Sequence, residues 1–397
     1  MEQVFIKALP VLNTLIEAGH QAYFVGGAVR DSYMKRAIGD VDIATDAAPN
    51  DVERLFKRTV DVGKEHGTII VLWEDETYEV TTFRTESDYQ DYRRPSEVHF
   101  ITSLEEDLKR RDLTINAMAM KTDGELIDYF GGRQDIDHQL IRTVGKPEDR
   151  FQEDALRMLR AIRFMSQLGF VLSEETAAAI ERSRSLLRYV SVERKTVEFE
   201  KLLQGKSCSS ALRMMVKTGL FEELPGFSDK KEHLLYASEC PFSLLTEREE
   251  LWAAILVYLK ISAKEQTPFL KKWKLPGKVI KEASRIADTF YQELDALSMY
   301  QAGEKALISA VKIKMLSETK QVDKEKLEAV RKEYRSLPIK SLKDLDITGQ
   351  DLLNVRNRPA GKWVSEELQR IEQAVVTGKL SNQKKHLEEW LKSWDQS

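Results

Sequence analysis

Apolar and polar residues follow two different rhythms along this chain. In the first 145 residues, short β-branched and aromatic runs predict strands over 23–25, 41–44, 68–73 and 77–83. Between them, apolar positions spaced by three and four predict helices over 3–18, 28–37 and 50–58. Asn50, just after Pro49, is placed to cap the third of these. Helices joined to short strands by brief connections predict one compact α/β domain.

From about Lys146 the rhythm changes. Pro147 opens a run over 148–168 in which Phe151, Ala155, Met158, Leu159, Ile162 and Met165 share one face, predicting a single long helix. Helical spacing continues over 174–184, 192–203, 209–218, 244–260, 279–294, 305–316 and 323–336, while strand-like alternation nearly vanishes. The remainder therefore reads as all-α, with turn chemistry at Pro225-Gly226, Pro276-Gly277 and Pro338 marking candidate joints.

Composition narrows the class. The chain has 397 residues, enough for several packed units. Its longest apolar runs, such as 252–259, fall well short of a membrane span, and its N-terminus lacks the layout of a signal peptide. Two distant cysteines, Cys208 and Cys240, exclude a disulfide framework and a cysteine-rich zinc site, and suit a reducing cytoplasm. With 61 basic and 65 acidic residues the net charge is −4, so a nucleic-acid partner would have to be met by a local patch.

Candidate chemistry starts at Asp40-Val41-Asp42. Strand alternation points the two aspartates to one face, where they repel unless a divalent cation joins them, and hard oxygens suit Mg²⁺. A solvated polar edge is the plainer alternative. Just upstream, the apolar strand 23–25 runs into Gly26-Gly27-Ala28-Val29-Arg30-Asp31. Two glycines opening a helix let backbone N–H groups, Gly27 included, approach a phosphate, and Arg30 is placed to pair with its oxygens. Glu79, a charge inside a β-rich run, is tolerable if it faces the same site; an edge-strand charge reads equally well. Arg110 and Arg111 precede Asp112, which is placed to cap a following helix, and they could meet a triphosphate. Residues 85–98, with Asp88, Asp91, Arg93, Arg94 and Pro95, suit a mobile loop over a site.

Taken in order, Gly26–Asp31, the Asp40/Asp42 pair and residues 110–119 resemble the class II CCA-adding tRNA nucleotidyltransferases and the related bacterial poly(A) polymerases. The stretches Gly63-Lys64-Glu65-His66-Gly67-Thr68 and Asp128-Tyr129-Phe130-Gly131-Gly132-Arg133-Gln134-Asp135 resemble further family elements. The resemblance implies an α/β polymerase-β-type nucleotidyltransferase head over 1–146. It also implies an all-α neck (147–208), body (209–336) and tRNA-binding tail (337–397). Asp40 and Asp42 become ligands of Mg²⁺, and Glu79 takes the place of an additional strand carboxylate.

The block Glu153-Asp154-Ala155-Leu156-Arg157 matches the family's nucleotide-selecting motif, with Arg160 and Arg163 further along to hold phosphate or base. Cytosine and adenine each present an amino donor beside a ring-nitrogen acceptor. An ionised Asp154 only accepts and Arg157 only donates, so the pair fits both bases. Guanine and uracil reverse the pattern, and each mismatched buried group costs roughly 1–3 kcal/mol. A solvated helix face with an ordinary Asp–Arg pair is the bland alternative.

The implied reaction adds C, C and A to the 3′ end of tRNA from CTP and ATP without a template, by two-metal nucleotidyl transfer with release of pyrophosphate. A poly(A) polymerase and a CC-only or A-only enzyme are the alternatives; the full-length 85–98 loop argues against CC-only. Basic residues around Trp273 (Lys271, Lys272, Lys274, Lys278, Lys281), and Arg356, Arg358 and Lys362 near Trp363, suit an RNA backbone with an exposed base, though solvated helix faces explain them too. Residues 347–352 and 378–380 resemble tail elements. The reading leaves the oligomeric state open, a homodimer included, and calls for no membrane.

Overall fold

The computed structural model describes residues 1–86, 89–90, 94–95 and 98–393, and it divides into two compact units, Met1–Ser238 and Glu239–Ser397.

The first unit opens with α1 (Gln3–Glu17), β1 (Ala22–Val25), α2 (Gly27–Tyr33), β2 (Asp42–Thr45) and α3 (Pro49–Leu55). Then come β3 (Thr59–Gly63), β4 (Thr68–Trp73) and β5 (Glu76–Thr82). With Ala119–Met120 and Leu126–Ile127 they form a seven-stranded sheet, ordered Leu126–Ile127, Ala119–Met120, β1, β2, β5, β4, β3. Only β2 and β5 run parallel in it. The apolar face of α1 covers the sheet, its Phe5 ring 4.9 Å from Phe24.

Strand β3 escaped the sequence reading because it lies at the sheet edge, where Val60 and Val62 stay exposed and no buried face imposes alternation. Asn50 does not cap α3: Pro49 is the first helical residue and Ala48 precedes it. Residues 84–86 pair antiparallel with 98–100. The expected loop lies between these stems, and its Asp88, Asp91 and Arg93 fall outside the described residues.

Beyond the sheet come α4 (Leu104–Lys109), α5 (Gly132–Asp137), α6 (Pro147–Glu153), α7 (Leu156–Leu168), α8 (Glu174–Ser183), α9 (Val192–Leu203), α10 (Cys208–Lys217) and α11 (Lys231–Ala237). Two expectations fail here. Asp112 caps no full helix, since Leu113 is extended and only one 3-10 turn, Thr114–Asn116, follows. The single helix over 148–168 is two, because Asp154 is extended (φ −140°) and separates α6 from α7. Apolar spacing runs through the break and conceals it. The Asp128 carboxylate accepts the backbone N–H groups of Gly132 and Arg133, both at 2.9 Å. Gly132 must be glycine, because a Cβ there would stand 2.4 Å from the Thr114 carbonyl.

The second unit contains α12 (Arg248–Tyr258), α13 (Ala263–Lys272), α14 (Gly277–Phe290), α15 (Ala296–Thr319), α16 (Lys324–Ser336), α17 (Gly349–Arg356), α18 (Lys362–Val376) and α19 (Lys384–Ser393). Gly303, at φ +74°, kinks α15. The last three helices share a core of Ile347, Leu352, Ile371, Val375, Leu387 and Leu391. Among the described residues, no helix is long and apolar enough to cross a membrane.

A candidate nucleotide and metal site

The parallel pairing of β2 and β5 sets Asp42 opposite Glu79 in register. In-register neighbours share a face of the sheet, so both carboxylates look out on the same side. Since β5 lies between β2 and β4, Glu79 is not an edge-strand charge. Asp40 precedes β2 rather than lying in it, so alternation does not orient it. Its charge still reaches Asp42. Burial first, then the charges of Glu79 and Asp40, push the Asp42 carboxyl up to about 6, against the pull of Arg111.

Gly26 keeps this corner open. It precedes α2 at φ +73°, and a Cβ there would come within 3.3 Å of Arg111 Nη1 and 3.4 Å of Asp42 Oδ2. Among the described residues, no three His, Cys, Asp or Glu side chains converge to hold an ion. The protein therefore closes no metal cage. Such a donor set fits Mg²⁺, which takes one or two carboxylates and completes its shell with water and substrate phosphate. A carboxyl raised by like charges is what a divalent cation relieves.

The corner belongs to a cavity of about 1260 Å³. Its lining includes the candidate metal and nucleotide residues Gly27, Arg30, Asp40, Asp42, Glu79, Arg111, Asp154, Arg157, Arg160 and Arg163. The arginines are tethered one by one. Arg30, 8% exposed, holds Asp31 at 2.9 Å and donates to Asn116 Oδ1 at 2.6 Å. Asp107, 1% exposed, accepts from Arg110 at 2.9 Å, from Arg111 at 3.4 Å and from the backbone N–H of Arg84 at 3.3 Å. Arg160 donates to Asp112 at 2.7 Å, and Arg163 pairs with buried Glu198 at 2.5 Å. Burial alone would raise the Asp112 carboxyl, but Arg160 and Arg157 hold it at about 2.

The break at Asp154 changes how Asp154 and Arg157 are placed. Because α7 starts after it, Asp154 and Arg157 do not lie on one continuous helical stripe. Instead Asp154 Oδ1 accepts the Leu156 N–H at 3.1 Å, and its two oxygens take Arg194 at 3.3 and 2.6 Å. A carboxylate offers about four acceptor sites, so roughly one remains for an amino group. Arg157 is fixed by Glu153 at 2.5 Å and by the Arg110 carbonyl at 2.9 Å. Both members are thus pre-oriented, Arg157 by Glu153 within the motif and by the Arg110 carbonyl, and Asp154 by Arg194 on α9.

Sequence reasoning missed these supporting groups. Asn116 and Asp107 stood in or beside a quoted motif without a role. Arg194 and Glu198 lie four apart on α9, spacing that puts them on one helix face. The buried side of α9 also carries Lys195 and Thr196, so no apolar pattern in the sequence marks Glu198 as a tether.

One C-terminal reading changes. Trp273 is fully buried against Trp252, ring centroids 4.9 Å apart, so the lysines near it surround a core residue and no base can stack there. Thr348 and Asp351 cap the start of α17 reciprocally, and Asp351 also holds Lys384 of α19 at 2.7 Å. Arg358 lies over the half-buried Trp363 ring, 5.4 Å from its centroid.

A mixed sheet that sets carboxylates on neighbouring central strands, with arginines lining the same cavity, defines a nucleotidyltransferase. Comparison with known proteins agrees. Residues 22–142 match the poly A polymerase head domain, 169–231 the probable RNA and SrmB-binding site of polymerase A, and 244–391 a tRNA nucleotidyltransferase domain 2. A CCA-adding enzyme of Bacillus subtilis is 74% identical over 396 residues, covering all of both chains, and one from Bacillus velezensis 67%. The crystal structure of the Bacillus stearothermophilus CCA-adding enzyme in complex with CTP superposes with a TM-score of 0.94 at 43% identity, covering 100% of this chain and 98% of that one. A Thermotoga maritima CCA-adding enzyme complexed with tRNA, 22% identical, shares the fold at a TM-score of 0.67. The chain belongs to the CCA-adding enzymes, the class II bacterial nucleotidyltransferases that build the C, C, A end of tRNA.

Proposed function

We propose that Asp40 and Asp42 hold Mg²⁺ beside Glu79, that Gly27, Arg30 and Arg111 receive the triphosphate, and that Asp154 and Arg157 read the base of CTP or ATP. The observation that carries this reading is geometric: Asp42 and Glu79 stand in register on neighbouring strands and share one cavity with Asp40, Arg30, Arg111, Asp154 and Arg157. Bound there, the cation would acidify the RNA 3′-hydroxyl and offset charge on the departing pyrophosphate. The chain's own residues do the rest. The buried arginines, each fixed by a carboxylate, align the phosphates without reorganising, which is where positioning and electrostatics supply rate. Arg160 and Arg163, further along α7, hold the phosphate or the base of the nucleotide.

Base choice follows from capacity. Asp154 has about one acceptor site left, matched to one amino N–H of cytosine or adenine. A uracil or guanine carbonyl at that point would meet an acceptor. Residues 1–146 serve as the head, 147–208 as the neck, 209–336 as the body and 337–397 as the tail that meets tRNA. The reaction runs in the cytoplasm, where two buried free thiols need no oxidising partner.

The test uses the full chain with Mg²⁺, labelled CTP and ATP, and tRNAs lacking one, two or three terminal nucleotides. Asp40→Ala should abolish incorporation on every substrate while tRNA affinity stays within about twofold. Incorporation retained by that variant removes the metal assignment.

A further inference from the structure

Three of the arginines in the cavity converge on one aromatic ring. Phe164, on α7, is 6% exposed and lines the cavity. The guanidinium carbon of Arg163 lies 3.8 Å from its ring centroid, that of Arg30 5.1 Å and that of Arg160 5.8 Å. Arg30 comes from α2, following the first strand of the sheet, whereas Arg160 and Arg163 come from α7. The ring is thus where the phosphate-facing helix and the base-facing helix meet.

We propose that Phe164 is a positioning residue for nucleotide binding, whose π-face gathers the guanidiniums of Arg30, Arg160 and Arg163 and holds them ready for the anionic substrate. This inference rests on the reading that those arginines hold the nucleotide.

The physical reason lies in what each tether does to the charge. Three cations brought together repel one another. Each already has a carboxylate: Asp31 for Arg30, Asp112 for Arg160, Glu198 for Arg163. A further carboxylate would fix them more firmly but would cancel the positive field that a triphosphate needs. An aromatic face attracts a guanidinium through its quadrupole and carries no net charge. Phe164 therefore orders the arginines without competing with the phosphates for them. Leucine at this position would fill similar space with no such attraction.

Replacing Phe164 with phenylalanines carrying one, two and three ring fluorines tests this, because fluorine drains the negative face while largely keeping the ring's shape. Steady-state KM for CTP and ATP should rise stepwise along the series, reaching roughly threefold to tenfold at the last member, with kcat changed less and the thermal transition still cooperative. Phe164→Tyr, which keeps a π-face, should stay near the native KM, and Phe164→Leu should match the most fluorinated member. A KM that is flat along the series overturns the role of the ring. Arg160→Ala and Arg163→Ala are measured alongside. If neither raises nucleotide KM, the arginines do not hold the nucleotide and both readings fall. If they raise it while the fluorinated series stays flat, only the inference about Phe164 falls.

Discussion

Asp42→Asn should stabilise this enzyme while destroying its activity. In the folded protein the Asp42 carboxyl titrates at about 6, against 3.8 for a free aspartate, because it is buried and faces Glu79 and Asp40. At 1.36 kcal/mol for each tenfold step, the charged form carries a penalty of about 3 kcal/mol. The sign follows from proton binding. Between about pH 4 and 6 the folded state holds more protons at this position than the unfolded state, so stability falls as pH rises through that window. Above about pH 6 the full penalty is present, and below about 4 it is gone. Asparagine keeps the shape and removes the charge. At pH 8 with chelator, the thermal midpoint of the variant should exceed that of the native chain by several degrees, since about 1 kcal/mol shifts a unit of this size by 2–4 °C. Some solvent reaches Asp42, so ~3 kcal/mol is an upper bound. The gain should shrink at pH 5. Added Mg²⁺ should raise the native midpoint, by selective binding to the folded state, and leave the variant nearly unmoved. Calorimetry at two pH values, with and without Mg²⁺, provides the measurement. A variant less stable than the native chain at pH 8 in chelator would refute the reasoning.

Other predictions concern base choice and the segment that tethers the arginines. Replacing Asp154 and Arg157 by alanine together should bring UTP and GTP incorporation within about tenfold of CTP, read by competition between labelled nucleotides; an unchanged preference would remove the base-reading role. Gly132→Ala drives a Cβ to 2.4 Å from the Thr114 carbonyl. It should cost roughly 1–3 kcal/mol in chemical unfolding, and should lower activity because Asp112 and Asn116, on the same segment, tether Arg160 and Arg30. Native stability in that variant would show the segment yields freely.

The sheet strands were legible wherever β-branched residues met a buried face. The predicted run over 68–73 is β4 to the residue, and helix α9 also falls on its predicted bounds. Edge strand β3 was not legible, since an exposed strand needs no alternation. The helix break at Asp154 was hidden because apolar spacing constrains which face is buried, not whether the backbone is continuous. The same limit applied at Trp273, where lysines on both sides suggested an RNA surface around what is a core residue. Motif residues could be named from sequence because the chemistry dictates their type. Their tethers, Asp107, Asn116, Arg194 and Glu198, could not, because a tether is chosen by distance across the fold. Even Asp154 and Arg157 are set by partners up to 47 residues away.

The most direct measurement of the central claim is anomalous scattering from crystals soaked with Mn²⁺ and a non-hydrolysable CTP analogue. The account predicts a peak within bonding distance of the Asp40 and Asp42 carboxylates and of the triphosphate oxygens, lost in Asp40→Ala. Nucleotide bound in the cavity with no metal peak beside those carboxylates, or with the peak elsewhere, would contradict it.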